Sequence, residues 1–259
     1  MRTVAIIQAR LQSTRLPGKV LFEIGGKPMV CLIADRLRRA HLLDDICLAT
    51  DRKSENDELA AVGQKIGLIV FRGEEDDVLA RYSGAAAKAN ADIIVRVTAD
   101  CPFIDPGIID ELIRLRSCEK LDYCTNVLPP TWPDGLDVSV FTRALLNAAA
   151  AEAKLASQRE HVVPWMWENC SLKGADRYRA VNLAAPRDLS QHRWTVDESK
   201  DYEFVQAIAR HLGDGMLNAA WPEILAIVEK DVMLGSINRH ISRDEGYRRS
   251  VADEQGTKP

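Results

Sequence analysis

The 259-residue chain has no apolar run approaching the roughly 20 residues of a membrane-spanning helix, and its N-terminus lacks the apolar stretch of a secretory leader. Neither secretion nor membrane insertion is expected, which leaves the cytoplasm as the default. There is no Cys-x-x-Cys pair; Cys31, Cys47, Cys101, Cys118, Cys124 and Cys170 are scattered. In a chain this long, that argues for reduced thiols and against a disulfide framework or a cysteine zinc site. A strong charge of one sign is also missing. The net charge of −4 and pI near 5.8 give no general attraction to nucleic acid or anionic membrane. Neither of the commonest phosphate loops occurs: G-x-x-x-x-G-K-[ST] is absent, and no G-x-G-x-x-G follows a strand. Asp-x-Asp, the metal motif of many glycosyltransferases, is found nowhere.

What the chain does have is concentrated near its start. Val4-Ala-Ile-Ile7 reads as a short buried strand, followed by a polar loop carrying Arg10, Ser13, Thr14, Arg15, Gly18 and Lys19. Three cations, two hydroxyls and a glycine after a buried strand suit a polyphosphate. Arg offers a planar fork of donors, Lys a point charge, and Gly close approach of backbone N–H groups. Ligands of open α/β sheets also gather at the carboxyl ends of strands. An ordinary solvated basic loop is the competing reading, weakened by the convergence of these groups at a strand end.

Further on, strands at 45–50, 68–71 and 92–98 alternate with helices at 28–40, 56–66 and 76–90. That alternation with short connections predicts an α/β fold with a doubly wound, mostly parallel sheet. The second half is less regular. Helices are expected at 105–117, 142–156, 199–212 and 222–229, with a shorter one at 160–168 interrupted by Pro164. Strand-like segments fall at 122–126, 136–141, 178–183 and 194–196. The pattern predicts one domain over residues 1–235 and a polar arm or tail over 236–259. Trp165 and Trp167 belong to an apolar stretch that suits either the core or a subunit contact.

Two aspartates stand at strand ends. Asp100 is placed to hold Mg²⁺ against phosphate oxygens, or to serve a turn, and spacing alone does not separate the two. Asp197 precedes a helix and reads most simply as its cap. Asp134, Asp137, Arg159 and His161 could bind sugar hydroxyls, and turn or helix-start roles compete for them.

Ala9-Arg-x-x-Ser-Thr-Arg-Leu-Pro-Gly-Lys19 resembles the signature of the cytidylyltransferases that activate acidic sugars, such as CMP-KDO and CMP-sialic acid synthetases. The likeness is greatest to the branch of spore coat polysaccharide biosynthesis protein F (SpsF). It continues through Gly25-Gly-Lys-Pro-Met29, Arg72-Gly-x-x-x-Asp-Val-Leu-x-Arg-Tyr82, Val97-Thr-Ala-Asp-Cys-Pro102, Asp134-Gly-Leu-Asp-Val138, Arg159-Glu-His161 and Trp194-Thr-Val-Asp197. This resemblance implies the nucleotide-diphospho-sugar transferase (Rossmann-like) architecture, a homodimer, and transfer of CMP from CTP to a sugar acceptor with release of pyrophosphate. It implies nucleotide contacts from Ala9, Arg10, Ser13, Thr14, Gly18, Lys19, Arg72 and Asp100, with Arg10, Arg15, Lys19 and Asp100 as catalytic residues. Mg²⁺ on Asp100 and Asp197, and an acceptor bound by Asp134, Asp137, Arg159 and His161, complete the expected site; Asp201 is read as local support. The segment before Asp100 departs from the KDO synthetases, which leaves the acceptor open. The rival readings are a glycosyltransferase using a nucleotide-sugar and a binding protein without turnover. Two aspartates at one metal site favour attack by a sugar hydroxyl, which needs activation that a sugar 1-phosphate does not.

Overall fold

The computed structural model describes residues 1–256. The chain runs β1 (Thr3–Gln8), a 3-10 turn at Lys19–Leu21, then a small hairpin of β2 (Glu23–Ile24) and β3 (Lys27–Pro28). Next come α1 (Met29–Leu37), β4 (Asp45–Asp51), α2 (Asp57–Lys65), β5 (Ile69–Gly73), α3 (Val78–Lys88), β6 (Ile93–Thr98) and α4 (Pro106–Glu119). The second half contains β7 (Tyr123–Thr125), β8 (Ser139–Thr142), α5 (Arg143–Glu152), α6 (Ala156–His161), α7 (Pro164–Glu168) and β9 (Ala180–Asn182). It closes with α8 (Ser199–Leu212), α9 (Trp221–Lys230), α10 (Val232–Ser236) and α11 (Glu245–Glu254).

The main sheet has seven strands in the order β5-β4-β1-β6-β8-β7-β9. β5, β4, β1 and β6 are parallel, whereas β8 is antiparallel to both β6 and β7. The sheet direction thus reverses between β6 and β8, the kind of switch where α/β sheets open a crevice. Parallel strands covered on both faces should be apolar on both, and β1 is: Ala5 and Ile7 pack toward α1, α4 and α8, Val4 and Ile6 toward α3, α5 and α7. The helices begin where the sequence supplies caps. Asp77 accepts from the Ala80 N–H, Asp105 from those of Gly107 and Ile108, and Thr142 from that of Leu145.

Arg36 of α1 is fully buried, and among the described residues no carboxylate bonds it. Its guanidinium donates to the carbonyls of Ile104 (2.8 Å), Met216 (2.9 Å) and Ala219 (2.8 Å), tying α1 to the loop after β6 and to the α8–α9 connection. Burial lowers its pKa to about 10, against the pull of Asp105.

Three expectations change. Residues 194–196 form no strand; a single bridge links Arg193 to Asp134, and the Val196 N–H donates to the Asp100 carbonyl at 2.8 Å. The segment lies across strand ends, so its partners are loops. The helix expected over 160–168 is two, α6 and α7, split by Val162 at φ 72°, a costly conformation for a β-branched residue. The polar segment beyond Gly235 is packed against the domain: it continues from α10, buries Asn238 and forms α11. α11 packs on α6, where Ser157 Oγ donates to Glu254 at 2.7 Å and His161 Nε2 meets Ser250 Oγ at 3.0 Å. Trp165 is a core residue. All six cysteines are free, and among the described residues no helix is long and apolar enough to cross a membrane.

Candidate active site

The loop after β1 closes on itself before Lys19. The Gly18 N–H donates to the Leu11 carbonyl at 2.8 Å, and Gly18 takes φ 75°, which glycine adopts without strain. Lys19 therefore enters its turn buried, and its stem runs to the carboxyl end of the sheet. Its ammonium donates to the Val196 carbonyl (2.8 Å), to Asp197 Oδ1 (2.7 Å) and to Asp100 Oδ2 (3.3 Å). Burial disfavours the Lys19 charge, but Asp100 and Asp197 outweigh it and raise the pKa above the ordinary lysine range. Burial likewise works against an ionised Asp100, yet Lys19 and hydrogen bonds from Thr98 and Cys101 hold it down at about 2. The ammonium and the Asp100 carboxylate are thus both charged at neutral pH.

Asp197 is not the cap of α8. Glu198 stands at that position, and the Asp197 carboxylate instead meets Lys19, Arg15 at 3.0 Å and Arg193 at 3.3 Å. Arg193 is the hub of a buried network. It bonds Asp134 (2.8 Å) and both oxygens of Asp201 (2.9 Å each). Asp201 also accepts the N–H groups of Asp197 and Glu198 at 3.0 Å and the Asn238 amide at 2.9 Å. Asp201 therefore holds the backbone beside Asp197, and the segment between α10 and α11 is anchored to the site through Asn238.

These groups border a cavity of about 850 Å³ at the β6/β8 switch. Its far wall comes from Asp134, Asp137, His161, Trp167, Arg243 and Tyr247. Gly135 sets the position of the two aspartates. At φ 110° it passes so close to 194–195 that a Cβ would lie 2.6 Å from the Thr195 nitrogen. Burial, with Asp137 nearby, pushes Asp134 up to about 7 against the pull of Arg243 and Arg193. Burial also raises Asp137, opposed by Arg243, whose guanidinium donates to Asp137 Oδ1 at 2.6 Å and to the Trp132 carbonyl at 2.9 Å.

The structure brings Arg15, Asp100, Asp134, Asp137, His161 and Asp197 to one cavity, with Lys19 bonded to two of them. Ala9 is buried at the root of the loop, Ser13 Oγ accepts from the Leu16 N–H, and Thr14 is exposed. Arg10, beside them, makes no hydrogen bond or ion pair among the described residues. Ala9, Arg10, Ser13, Thr14, Gly18 and Lys19 belong to the loop beside the cavity and are not part of its lining, and two further expected residues are engaged elsewhere. Arg72 bonds the Asp51 carbonyl (3.0 Å), the Lys53 carbonyl (2.6 Å) and Asp57 (2.5 Å), which braces the 51–57 connection. Arg159 bonds Asp77 and the Ala150 and Ala153 carbonyls, joining α6 to α3 and α5. Neither lines the cavity. Arg96, Arg193, Arg243, Glu245 and Tyr247 do, and sequence reading passed over all five. Only Arg193 carried a signal, standing next to the Trp194-Thr-Val-Asp197 motif.

The sequence profile described as cytidylyltransferase matches residues 4–221. The chain belongs to the cytidylyltransferase family. Spore coat polysaccharide biosynthesis protein SpsF of Bacillus subtilis is 32% identical over 215 residues, covering 81% of this chain and 87% of that one. A 3-deoxy-manno-octulosonate cytidylyltransferase of Geobacter metallireducens is 41% identical over 113 residues, 44% of either chain. Among solved structures, a cytidylyltransferase from Leptospira borgpetersenii superposes with TM-score 0.84 and 28% identity, covering 93% of this chain and 98% of that one. A CMP:2-keto-3-deoxy-manno-octonic acid synthetase complexed with CTP shares the fold, at TM-score 0.62 and 20% identity over 82% of this chain and 99% of that one. The architecture is therefore that of the nucleotidyltransferases. The family match ends at residue 221, so the α10–α11 segment that closes the cavity lies outside it.

Proposed function

We propose that this cytidylyltransferase transfers CMP from CTP to a hydroxyl of an acidic sugar, with release of pyrophosphate, in the synthesis of a surface glycan. The carrying observation is the junction at Lys19, where one basic loop reaches two carboxylates of the cavity wall, Asp100 after β6 and Asp197 before α8. In this reading Arg10, Arg15 and Lys19 bind the triphosphate, while Asp134, Asp137 and His161 hold the acceptor. The working unit is a homodimer.

The donor set at the junction fits Mg²⁺. The ion is typically held by one or two carboxylates plus substrate phosphates and water, and Asp100 and Asp197 converge on a single cationic point. Bound there, Mg²⁺ would supply charge neutralisation at the phosphates and acidify the attacking hydroxyl. The protein's own groups orient the two substrates and fix the dipoles around them, and no protein nucleophile is required.

The test is pyrophosphate release from CTP across acidic sugars and sugar 1-phosphates, with Mg²⁺ titrated. Asp100→Asn should lower turnover about 10²–10³-fold, the usual cost of losing one electrostatic contact at a reacting centre. Wild-type turnover by Asp100→Asn at limiting Mg²⁺ would make Asp100 a turn residue. Turnover confined to sugar 1-phosphates and indifferent to Asp197→Asn would overturn the hydroxyl acceptor.

A further inference from the structure

Arg96 is a charged residue in the middle of an apolar central strand. Arg36 and Arg193, similarly placed inside the fold, are satisfied by carbonyls and carboxylates respectively. Arg96 has neither: among the described residues its side chain makes no hydrogen bond or ion pair, and its buried Nε is without a partner. Keeping a half-buried guanidinium unpaired costs stability, and within the fold its charge acts only at a distance, favouring an ionised Asp137 that is already paired with Arg243.

The charge does face something. Arg96 lines the cavity on the side of β6 toward β8, and its partner across that pairing is Ser139. On the same sheet face, Ser139 Oγ lies 2.9 Å from the Tyr123 hydroxyl and 3.0 Å from that of Thr125, and Trp167 Nε1 donates to Tyr123 at 2.8 Å. His161, Trp167 and Tyr247 wall this compartment, with Tyr247 edge-on to both other rings. Burial lowers the His161 pKa; Glu160 opposes this and the Arg96 charge reinforces it. The carboxylates at hand are committed elsewhere, Asp137 to Arg243 and Asp134 to Arg193. The triphosphate has its own cations on the β1 loop. The space above Arg96 is therefore left to the acceptor.

The geometry points to Arg96 as the anchor for an oxyanion of the acceptor, a carboxylate or a phosphate, seated on the β6/β8 floor beside Ser139. This assignment deepens the proposed cytidylyl transfer and rests on it for the identity of the occupant. A guanidinium presents two parallel N–H groups to such an anion. The bond forms on binding, which accounts for a cation that the folded chain leaves open. Arg96 is then a specificity residue that selects charged over neutral acceptors.

Four probes read this with CTP at saturation: 3-deoxy-manno-octulosonate, its methyl ester, a hexose 1-phosphate and the neutral hexose. Wild type should prefer one anionic probe at least tenfold over its neutral counterpart, and which one identifies the oxyanion. Arg96→Gln should raise KM for that probe about 10- to 100-fold, with the KM for CTP within threefold, and abolish the preference. Arg96→Lys should recover part of it. Equal use of acid and ester by wild type overturns the anchor without any variant. So does an Arg96→Gln enzyme, folded by thermal unfolding, that keeps the preference. Absence of both CTP binding and pyrophosphate release would instead refute the transferase reading. In that case, equilibrium dialysis of the two anionic probes reads the anchor directly: binding lost in Arg96→Gln supports it, while binding retained in the variant or absent from wild type overturns it.

Discussion

On the β1 flank of β6, Lys19, Arg15 and Arg193 share Asp100, Asp197, Asp134 and Asp201, and every one of these side chains is held by at least one partner. On the β8 flank, Arg96 has none among the described residues. The closed set is a frame. Its charges fix strand ends, the 193–197 segment and the loop after β1 relative to one another in the ligand-free chain. The open charge adds nothing to the frame, so its use falls to whatever enters the cavity. Buried charge reports function most directly where the fold has left it unsatisfied.

Removing a charge from each flank separates these roles. Arg193→Met strips the partner from fully buried Asp201 and from Asp134, and should cost about 3–5 kcal/mol in urea unfolding. Arg96→Met removes a cation that no side chain among the described residues bonds, leaving Asp137 its ion pair with Arg243, and its stability should stay close to wild type. If Arg96→Met cost as much as Arg193→Met, the two flanks would not differ and Arg96 would be structural.

A smaller effect should follow at Gly135, which seats the acceptor-side aspartates against the frame. Gly135→Ala forces a Cβ within 2.6 Å of the backbone at 194–195, in a conformation that alanine rarely adopts. A loss of about 2–3 kcal/mol is expected, because neither backbone can yield cheaply. Acceptor KM should rise more than the KM for CTP, since the displaced residues line the far wall. Equal increases in both constants would show that the flanks move as one.

How much of this was readable in advance differs between the same two regions. The parallel half announces itself, because each strand is an apolar run bounded by a capping residue such as Asp77 or Asp105, or by a left-handed Gly67. The cations of the first loop were visible as a cluster in ten residues. Arg96 was hidden because a single charge in an otherwise apolar strand does not alter its pattern. Arg193 and Arg243 are isolated in sequence and meet Asp134 and Asp137 only through tertiary contacts. The Trp194–Val196 segment has strand chemistry but pairs with loops. Polar composition suggested an arm or tail over 236–259 but gave no sign of where it packs: Tyr247 lies edge-on against His161 and Trp167.

The acid–base behaviour of the boundary between the flanks gives a third measurement. Asp134 is pushed up to about 7 by burial and the neighbouring Asp137, whereas an unfolded aspartate titrates near 3.9. The folded state therefore binds this proton more tightly than the unfolded state. Its contribution favours folding below about pH 4 and is lost as pH rises through 7. Asp134→Asn cannot titrate, so its decline in stability between pH 5 and pH 8 should be smaller than that of wild type by about 1–2 kcal/mol. Identical pH slopes would mean that Arg193 keeps Asp134 ionised throughout, as part of the closed frame.

The smallest expected effect concerns Arg159, which shares a sequence motif with His161 but not its surroundings. The Arg159 guanidinium donates to Asp77 at 2.8 and 2.5 Å and to the Ala150 and Ala153 carbonyls. Asp77 simultaneously caps α3 through the Ala80 N–H. Arg159 thus pins α6, whose last residue is His161, to the starts and ends of two neighbouring helices. Both members of the pair are partly exposed, which limits the gain from their charges. Arg159→Gln should cost about 1–2 kcal/mol through the lost bonds and leave acceptor KM within twofold. Combined with Asp77→Asn, the loss should be less than the sum of the single variants, because both remove the same contact. A tenfold rise in acceptor KM with unchanged stability would place Arg159 among the acceptor's ligands, and the β8 flank would then hold a second cation for its anion.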